Sequence, residues 1–328
     1  MLTPVRPVSR PEDFRVDEIA LYAPAGQGEH TFLRVEKCNR STDEVARDLA
    51  RAAGVRPRDV GYAGRKDRVA VTTQWFSVPR LSPEAALGLA LPGVRVLEAA
   101  AHPHKLRTGQ LRGNRFDIAV REVGVAEGPT LERRLEEMAD RGMPNRFGPQ
   151  RFGRYADNAE RGRRLLSGVA RVGDRRRARF LLSALQAEVF NAVLARRALP
   201  LDRLECGDVA VVHASGGLFL VEDLAREAPR AASFEISATG PIFGTRTLQP
   251  AAEVAARERE VLEACGVPAE GLTPPRGIRL RGGRRPLRVR PEEASVLPLA
   301  DGVRLRFTLP AGSFATVLVE ELLAPGDG

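Results

Sequence analysis

The sequence predicts an α+β fold of about two domains, for three reasons. Segments rich in valine, threonine and aromatic residues, such as Val69–Val78, have the composition of half-buried strands. Between such segments, apolar residues recur at helical spacing next to helix-capping signals. The length of 328 residues corresponds to about two domains and allows a sizeable core.

The N-terminal part is predicted to contain two paired strands followed by a capped helix. Pro11–Ile19 and Thr31–Glu36 are expected to be antiparallel partners, because a glycine-rich loop joins two segments of strand type. Ser41–Glu44 matches a capping box, and the helix that it begins should end at Gly54. Two further strands and a helix are predicted at Val94–Leu97, Phe116–Val120 and Thr130–Arg141.

The composition changes at about Arg154, where an arginine-rich stretch begins. We predict that residues 154–276 are inserted into a larger domain formed by residues 1–153 and 277–328. The predicted elements of the insert are a helix at Phe180–Leu194, a hairpin of Val209–His213 with Leu218–Val221, and an acidic helix at Ala251–Ala264. A strand at Val303–Leu309 and a closing helix at Val317–Leu323 follow.

The run Gly61–Arg68 is predicted to be a tight turn at the mouth of the next strand. Gly61 and Gly64 should take backbone angles that other residues avoid, so that Asp67 is presented at the edge of a rigid loop. The flanking positive charges should lower the pKa of Asp67 and keep it ionised. A loop aspartate can also simply cap its turn or pair with a neighbouring arginine, and the residues alone leave both roles open.

The net charge of +9 makes a polyanionic partner plausible, and the arginines are unevenly distributed. Residues 141–179 hold twelve arginines and three acids, whereas residues 276–290 hold seven arginines and no acid. Such clusters are often only solvated surface. Two of them flanking a long central segment favour contact with a nucleic acid.

Several classes of protein are disfavoured by the composition. No apolar run approaches the ~20 residues needed to cross a bilayer, and no secretory signal is visible at the N-terminus. Cys38, Cys206 and Cys265 are widely separated, which predicts reduced thiols in a cytoplasmic protein without a metal centre. The chain also lacks a glycine-rich dinucleotide turn between a strand and a helix, so we expect no cofactor.

Several residues are candidates for contact with RNA. Lys105–Phe116 alternates basic residues with glycines, as a loop that follows phosphates would, and its Asn114 can read a uracil edge or merely hold the turn. Asn145–Gly153 interleaves aromatic residues with arginines and includes Gln150 and Arg151. Phe14, Phe147 and Phe314 are candidates for stacking on bases, or they pack in the core.

Five separated motifs together resemble the TruD family of tRNA pseudouridine synthases and span nearly the whole chain. In sequence order they are Phe14-x-Val-x-Glu18, Gly64-x-Lys66-Asp67 leading into Ala70-Val-Thr-x-Gln-Trp75, Leu111-Arg-Gly-Asn114-x-Phe116, Asn145-x-Phe-Gly-x-Gln150-Arg151-Phe-Gly153, and Leu309-Pro-x-Gly-Ser-Phe314-Ala-Thr316. Their joint occurrence is far more specific than any one of them.

The resemblance implies a function, a site and a fold. It implies a cytoplasmic, soluble enzyme that isomerises uridine 13 in the D arm of tRNA, without a cofactor and as a monomer. Its catalytic domain is implied to have a bent, mainly antiparallel mixed sheet flanked by helices, interrupted by a smaller α/β TRUD domain. Asp67 is then the catalytic residue, and the implied substrate-binding residues are Phe14, Lys66, Asn114, Gln150, Arg151 and Phe314.

The chemistry leaves alternatives open. A carboxylate can attack or stabilise the sugar during glycosidic cleavage, or take its 2′ proton, and the sequence does not choose between these routes. A non-catalytic RNA-binding protein would use the same basic clusters and aromatic residues. A nucleoside or glycoside hydrolase would usually need a second acid opposite Asp67.

Overall fold

The computed structural model describes residues 10–124 and 127–324. The chain divides into two compact units, the first formed by Met1–Glu136, Pro291–Gly312 and Leu322–Gly328, the second by Glu137–Arg290 and Ser313–Glu321. The predicted domain limits at residues 153 and 276 stay a prediction.

Strands and helices are interspersed along the described part of the chain. The strands are β1 Phe14–Ala20, β2 His30–Cys38, β3 Gly61–Tyr62, β4 Val71–Pro79, β5 Val94–His102, β6 Leu111–Arg121, β7 Met143–Pro144, β8 Val209–Val212, β9 Leu218–Leu220, β10 Ile236–Ile242, β11 Gly283–Pro286, β12 Arg288–Val289, β13 Glu292–Leu299 and β14 Gly302–Pro310. The helices are α1 Thr42–Ala52, α2 Pro83–Leu87, α3 Gly128–Arg141, α4 Asn158–Leu166, α5 Arg175–Ala195, α6 Leu224–Ala232, α7 Ala252–Ala264 and α8 Ala315–Leu323.

The first unit is built on one mixed sheet with the strand order β13-β14-β6-β1-β4-β2-β5, and β3 pairs with β4. The pair β1–β4 is parallel, and the other pairs in this sheet are antiparallel. Together with the helices, this sheet confirms the predicted α+β class with a mainly antiparallel mixed sheet.

The prediction that β1 and β2 are partners is wrong, because β4 lies between them. Most positions of β4 are buried, including adjacent ones such as Trp75 and Phe76. A strand that is apolar on both sides is favoured at the centre of a sheet. The loop connection between β1 and β2 therefore does not produce a hairpin.

Helix α1 covers one face of this sheet and fixes the segment that follows it. Its predicted capping box is present, with the Ser41 side chain and Glu44 bonded reciprocally. Val45 and Leu49 are fully buried against Val35 and Phe76 of the sheet. This packing anchors the chain just before it enters β3.

The second unit contains a sheet with the order β11-β10-β8-β9 and the two-stranded pair β12-β7. The predicted hairpin is confirmed as β8–β9. Phe147, Phe190, Ile236 and Leu287 share the core of this unit. Helix α5 is long and apolar enough to cross a bilayer by length and composition alone, but more than half of its apolar window is buried, as in a core helix.

Candidate active site

The loop that carries Asp67 joins β3 to β4 and lies against the first sheet. The prediction that Gly61 and Gly64 adopt unusual backbone angles is wrong, because neither has a positive φ. Gly61 is required instead because there is no room for a side chain at this position. A Cβ at this position would overlap the carbonyl oxygen of Leu106 and the hydroxyl of Ser77. At Gly64 an added Cβ would meet only the Lys66 ammonium, at 3.8 Å.

The sheet presents a row of polar side chains beneath this loop. Lys37 on β2 pairs in register with Thr72 on β4, which in turn pairs with Val16 on β1. Residues opposite each other in a sheet share a face, and so do residues two apart in one strand. Lys37, Gln74, Glu18 and Asn114 therefore point to the same side of the sheet, across the four strands β2, β4, β1 and β6.

Three buried side chains bind the backbone of the loop. The Gln74 amide donates to the carbonyl oxygen of Gly64 at 3.2 Å, and the Lys66 N–H donates to the Thr42 hydroxyl at 2.9 Å. The Lys37 ammonium donates to the carbonyl oxygen of Asp67 at 2.7 Å. Thr42 also donates to Gln74, at 2.8 Å, so two of these contacts are coupled. The loop is thus fixed at successive points up to Asp67.

Lys66 turns inward rather than towards solvent. Its ammonium lies 2.6 Å from Oε2 of Glu18, and both side chains are almost fully buried. The other oxygen of Glu18 accepts the Trp75 N–H at 3.1 Å. Because Glu18 is paired in register with Asn114, this ion pair brings the Asp67 loop close to Asn114 on β6. That Lys66 itself binds substrate stays a prediction.

The electrostatics of Asp67 differ from the prediction. The residue is exposed at the surface, but protein atoms surround its carboxyl group, and this desolvation raises its pKa above the ordinary value. Lys37 and Lys66 lower the pKa and limit the rise. The neighbouring arginines do not act as predicted, because Arg65 and Arg68 form ion pairs with acids of α1. The predicted lowering of the Asp67 pKa is therefore wrong in direction.

Asn114 lies in the middle of β6, not in a flexible turn as predicted. Residues 111–121 are all strand, because β6 is held between β1 and β14. The amide oxygen of Asn114 is buried and has no hydrogen-bond partner among the described residues. An unpaired buried acceptor costs free energy, and a hydrogen bond from another group would offset that cost.

Phe14 begins β1 on the same face as Asn114. It is half-buried and meets Phe116 edge to face, with ring centroids 6.3 Å apart. Phe116 in turn stacks on Phe307 of β14. The first unit therefore gathers Phe14, Lys66, Asp67 and Asn114 on one face of its sheet.

The remaining predicted residues belong to the second unit. Phe314 is half-buried and packs edge to face on Phe147, with centroids 5.9 Å apart. The Arg151 guanidinium lies over the Phe147 ring at 5.3 Å, and burial lowers its pKa. Gln150 is exposed. Phe147 itself is a core residue of this unit.

The second arginine cluster is mostly interior. Arg284 is fully buried against Glu258, at 2.7 Å, and Arg288 is buried against backbone carbonyls and the Ser237 hydroxyl. Arg285 is stacked on the Phe147 ring at 4.2 Å. The expectation that this cluster faces a polyanion fails for these three residues. In the first cluster the arginines at the start of α5, residues 175–177 and 179, are exposed.

Sequence reasoning missed the residues that hold the loop, above all Lys37. The signal for Lys37 was its position. Leu33, Val35 and Lys37 lie at alternate positions of β2 and therefore on one face, and Leu33 and Val35 are apolar and fully buried. A lysine in the buried phase of a strand is rarely left without a specific role. Thr42 carried no signal beyond that of a helix start. Within the described residues, no group of three potential ligands could hold a metal ion.

Comparison with known proteins gives consistent matches. A family model described as tRNA pseudouridine synthase D (TruD) matches residues 8–171 and 171–322. A tRNA pseudouridine synthase D from Anaeromyxobacter dehalogenans is 46% identical over 323 residues, covering 95% of this chain and 90% of that protein. One from Thermus thermophilus is 45% identical over 318 residues, covering 95% and 87%.

The fold also matches a solved structure. The crystal structure of a candidate tRNA pseudouridine synthase D from Methanosarcina mazei has a TM-score of 0.74, with 21% identity, and covers 96% of this chain and 93% of that one. The family model and the two relatives show an isomerase of the pseudouridine synthase class. The chain belongs to the TruD family of tRNA pseudouridine synthases. The predicted family and enzyme class are confirmed.

Proposed function

We propose that the protein converts a uridine of tRNA, uridine 13 of the D arm, to pseudouridine, with Asp67 as the catalytic carboxylate. One observation carries the proposal. In a chain of this family, Asp67 lies on a loop that three buried side chains bind, next to the face that holds Asn114. Such fixed geometry is what positioning a reacting sugar requires.

The reaction separates C1′ of the ribose from N1 of uracil and then joins C1′ to C5. Positive charge develops on the sugar as the glycosidic bond breaks, and the Asp67 carboxylate is proposed to stabilise this charge, to attack C1′ or to take the 2′ proton. After the uracil turns, C5 bonds to C1′ and loses its proton to solvent, and N1 takes up a proton in its place. Substrate and product are isomers, so no co-reactant is consumed.

The target base has to leave its stack before it can react. Extrusion costs a few kcal/mol, and stacking on an aromatic ring returns ~1–3 kcal/mol. Phe14 in the first unit is proposed to stack on the base, and the unpaired amide of Asn114 to bond its edge. The positive charge of Lys66 is proposed to lower the pKa of the neighbouring Asp67 and so to favour its ionised form.

In the second unit, Phe314, Gln150 and Arg151 are proposed to contact the tRNA. Gln150 is exposed, and a guanidinium nitrogen of Arg151 is buried without a partner among the described residues. The exposed arginines at the start of α5 are proposed to bind the sugar-phosphate backbone. We further propose that the enzyme acts as a monomer in the cytoplasm.

The test is the substitution Asp67→Asn, assayed by tritium release from tRNA that contains 5-tritiated uridine. Loss of the carboxylate should lower the single-turnover rate by at least ~100-fold, as expected for a group acting directly in the reaction. Asp59→Asn is the matched control, because Asp59 is another half-buried carboxylate of the same unit and its side chain pairs with Arg56. It should keep the wild-type rate.

The reaction products distinguish between the alternative functions. Tight tRNA binding without tritium release by the wild-type protein would favour a non-catalytic RNA-binding protein, and free uracil would point to a hydrolase. The position is tested with a transcript that has cytidine at position 13. Unchanged tritium release from that transcript would rule out uridine 13 as the target.

A further inference from the structure

Lysine is rare in this chain, and two of its three lysines contact or belong to the Asp67 loop, while the third packs beside the start of β3. They are Lys37, Lys66 and Lys105, among 51 basic residues. Lys37 bonds the carbonyl of Asp67, Lys66 belongs to the loop, and the stem of Lys105 packs beside Gly61. Arginine and lysine are not equivalent in a buried site, because an ammonium is a compact point charge and a guanidinium is a broad plane.

Lys37 is fully buried and makes two hydrogen bonds from its ammonium group. One goes to the carbonyl oxygen of Asp67, at 2.7 Å, and the other to the carbonyl oxygen of Arg40, at 2.6 Å. The ammonium thus joins the Asp67 loop to the segment between β2 and α1. Because the side chain has no exposed surface, it cannot touch an RNA.

We propose that Lys37 is a positioning residue, whose ammonium holds the Asp67 backbone so that the carboxylate meets the sugar in one orientation. This inference rests on the proposed function of Asp67. Of the three side chains that bind the loop backbone, Lys37 is the one that carries a charge. It is also the one bonded to Asp67 itself.

The surroundings of Lys37 make its charge sensitive to pH. The pKa of Lys37 is lowered to about 8, mainly by burial and also by Lys66 on the loop, whereas Asp67, Glu44 of α1 and Cys38 of its own strand raise it and limit the fall. Below this pH the ammonium makes charge-assisted bonds to both carbonyls. Above it, the neutral amine still donates but its charge is lost. The reaction rate should therefore fall to a lower plateau above pH 8.

The decisive variant is Lys37→Met, which has a similar length and no charge or donor. Single-turnover tritium release at pH 7 should fall by ~10- to 100-fold, since small errors of position cost this much. The KM for tRNA should change by less than about threefold, because Lys37 is buried. The alkaline fall in rate near pH 8 should disappear from the profile.

Thr31→Val is the matched control for a purely structural effect. Thr31 is buried on the same strand and donates its hydroxyl to the carbonyl of Leu81, remote in sequence from the loop. Like Lys37→Met, the Thr31→Val variant loses a buried group that donates a hydrogen bond to a carbonyl oxygen. It should keep both the wild-type rate and the alkaline fall, even if its Tm decreases.

Lys37→Arg provides a rescue. A folded Lys37→Arg enzyme keeps a charge that does not titrate, so its rate at pH 7 should exceed that of Lys37→Met and should not fall near pH 8. If Lys37→Met keeps the wild-type rate and profile while Asp67→Asn is inactive, the positioning role is refuted and the proposed function stands. If the wild type releases no tritium, the proposed function itself fails.

Discussion

The Asp67 residue is exposed, but desolvation of its carboxyl group raises its pKa. The raised pKa determines how the reaction rate responds to acid. A catalytic carboxylate must be ionised, so the rate should fall as pH decreases through the Asp67 pKa. Because that pKa is raised, the fall should begin at a higher pH than for an ordinary aspartate. The single-turnover rate measured across acidic pH tests this directly.

The double variant Lys66→Met with Glu18→Gln should shift this acidic fall. Lys66 lowers the pKa of Asp67, so removing its charge should raise that pKa and move the fall to higher pH. Both members of the buried pair are replaced together, because leaving Glu18 buried alone would cost ~3–5 kcal/mol. An unchanged pH profile in a folded double variant would show that Lys66 does not tune Asp67.

At the residue scale the sequence predicted which candidate side chains lie together better than it predicted what holds them in place. Asp67, Asn114 and Phe14 were predicted as a set, and the first unit gathers them on one face. The raised pKa of Asp67 was not predictable, because desolvation by the surrounding protein causes it and the flanking residues do not report desolvation. Arg65 and Arg68 turn towards α1, and Lys37, thirty residues away in sequence, takes their place beside Asp67.

At the scale of single elements, Gly61 and Gly64 differ although they lie in the same loop. Gly61→Ala should destabilise the protein by ~1–3 kcal/mol, because its Cβ would overlap backbone and side-chain atoms around the start of β3. Gly64→Ala is the matched control and should leave stability unchanged within ~0.5 kcal/mol, since its Cβ meets only a side-chain end in ordinary contact. Urea unfolding followed by circular dichroism compares the two. Equal losses would contradict the explanation.

Helices were predicted more reliably than strand partners. The Ser41 capping box and the spacing of Val45 and Leu49 are local signals, and α1 follows them. The neighbour of a strand depends on residues far away, which local patterns do not report. The parallel pairing of β1 with β4 joins residues more than fifty positions apart, and the glycine-rich loop after β1 suggested a hairpin instead.

At the scale of the whole molecule, the net charge of +9 should make tRNA binding depend on salt. Arg177→Gln with Arg179→Gln should weaken binding and reduce the slope of log K against log salt by about 0.7–0.9 for each phosphate that is no longer bound. Both residues are exposed at the start of α5. Filter binding at several salt concentrations gives the slope.

The control for this prediction is Arg226→Gln with Arg259→Gln. These arginines are also exposed in the second unit, but Arg226 pairs with Glu227, and Arg259 stands between two glutamates in sequence. The charge removed is the same in both double variants. Equal changes in the slope would mean that total charge, and not the start of α5, governs tRNA binding.

The pairing of β14 with β6 joins residues 302–310 to residues 113–121, across almost two hundred positions. During synthesis on the ribosome, the strand that carries Asn114 therefore waits with an open hydrogen-bonding edge until residues 302–310 have been translated. A ribosome that stalls before residue 302 would hold a chain in which Asp67 is already made but β6 lacks its partner β14. Such a nascent product is exposed to aggregation, and a chaperone that shields open strand edges would protect it.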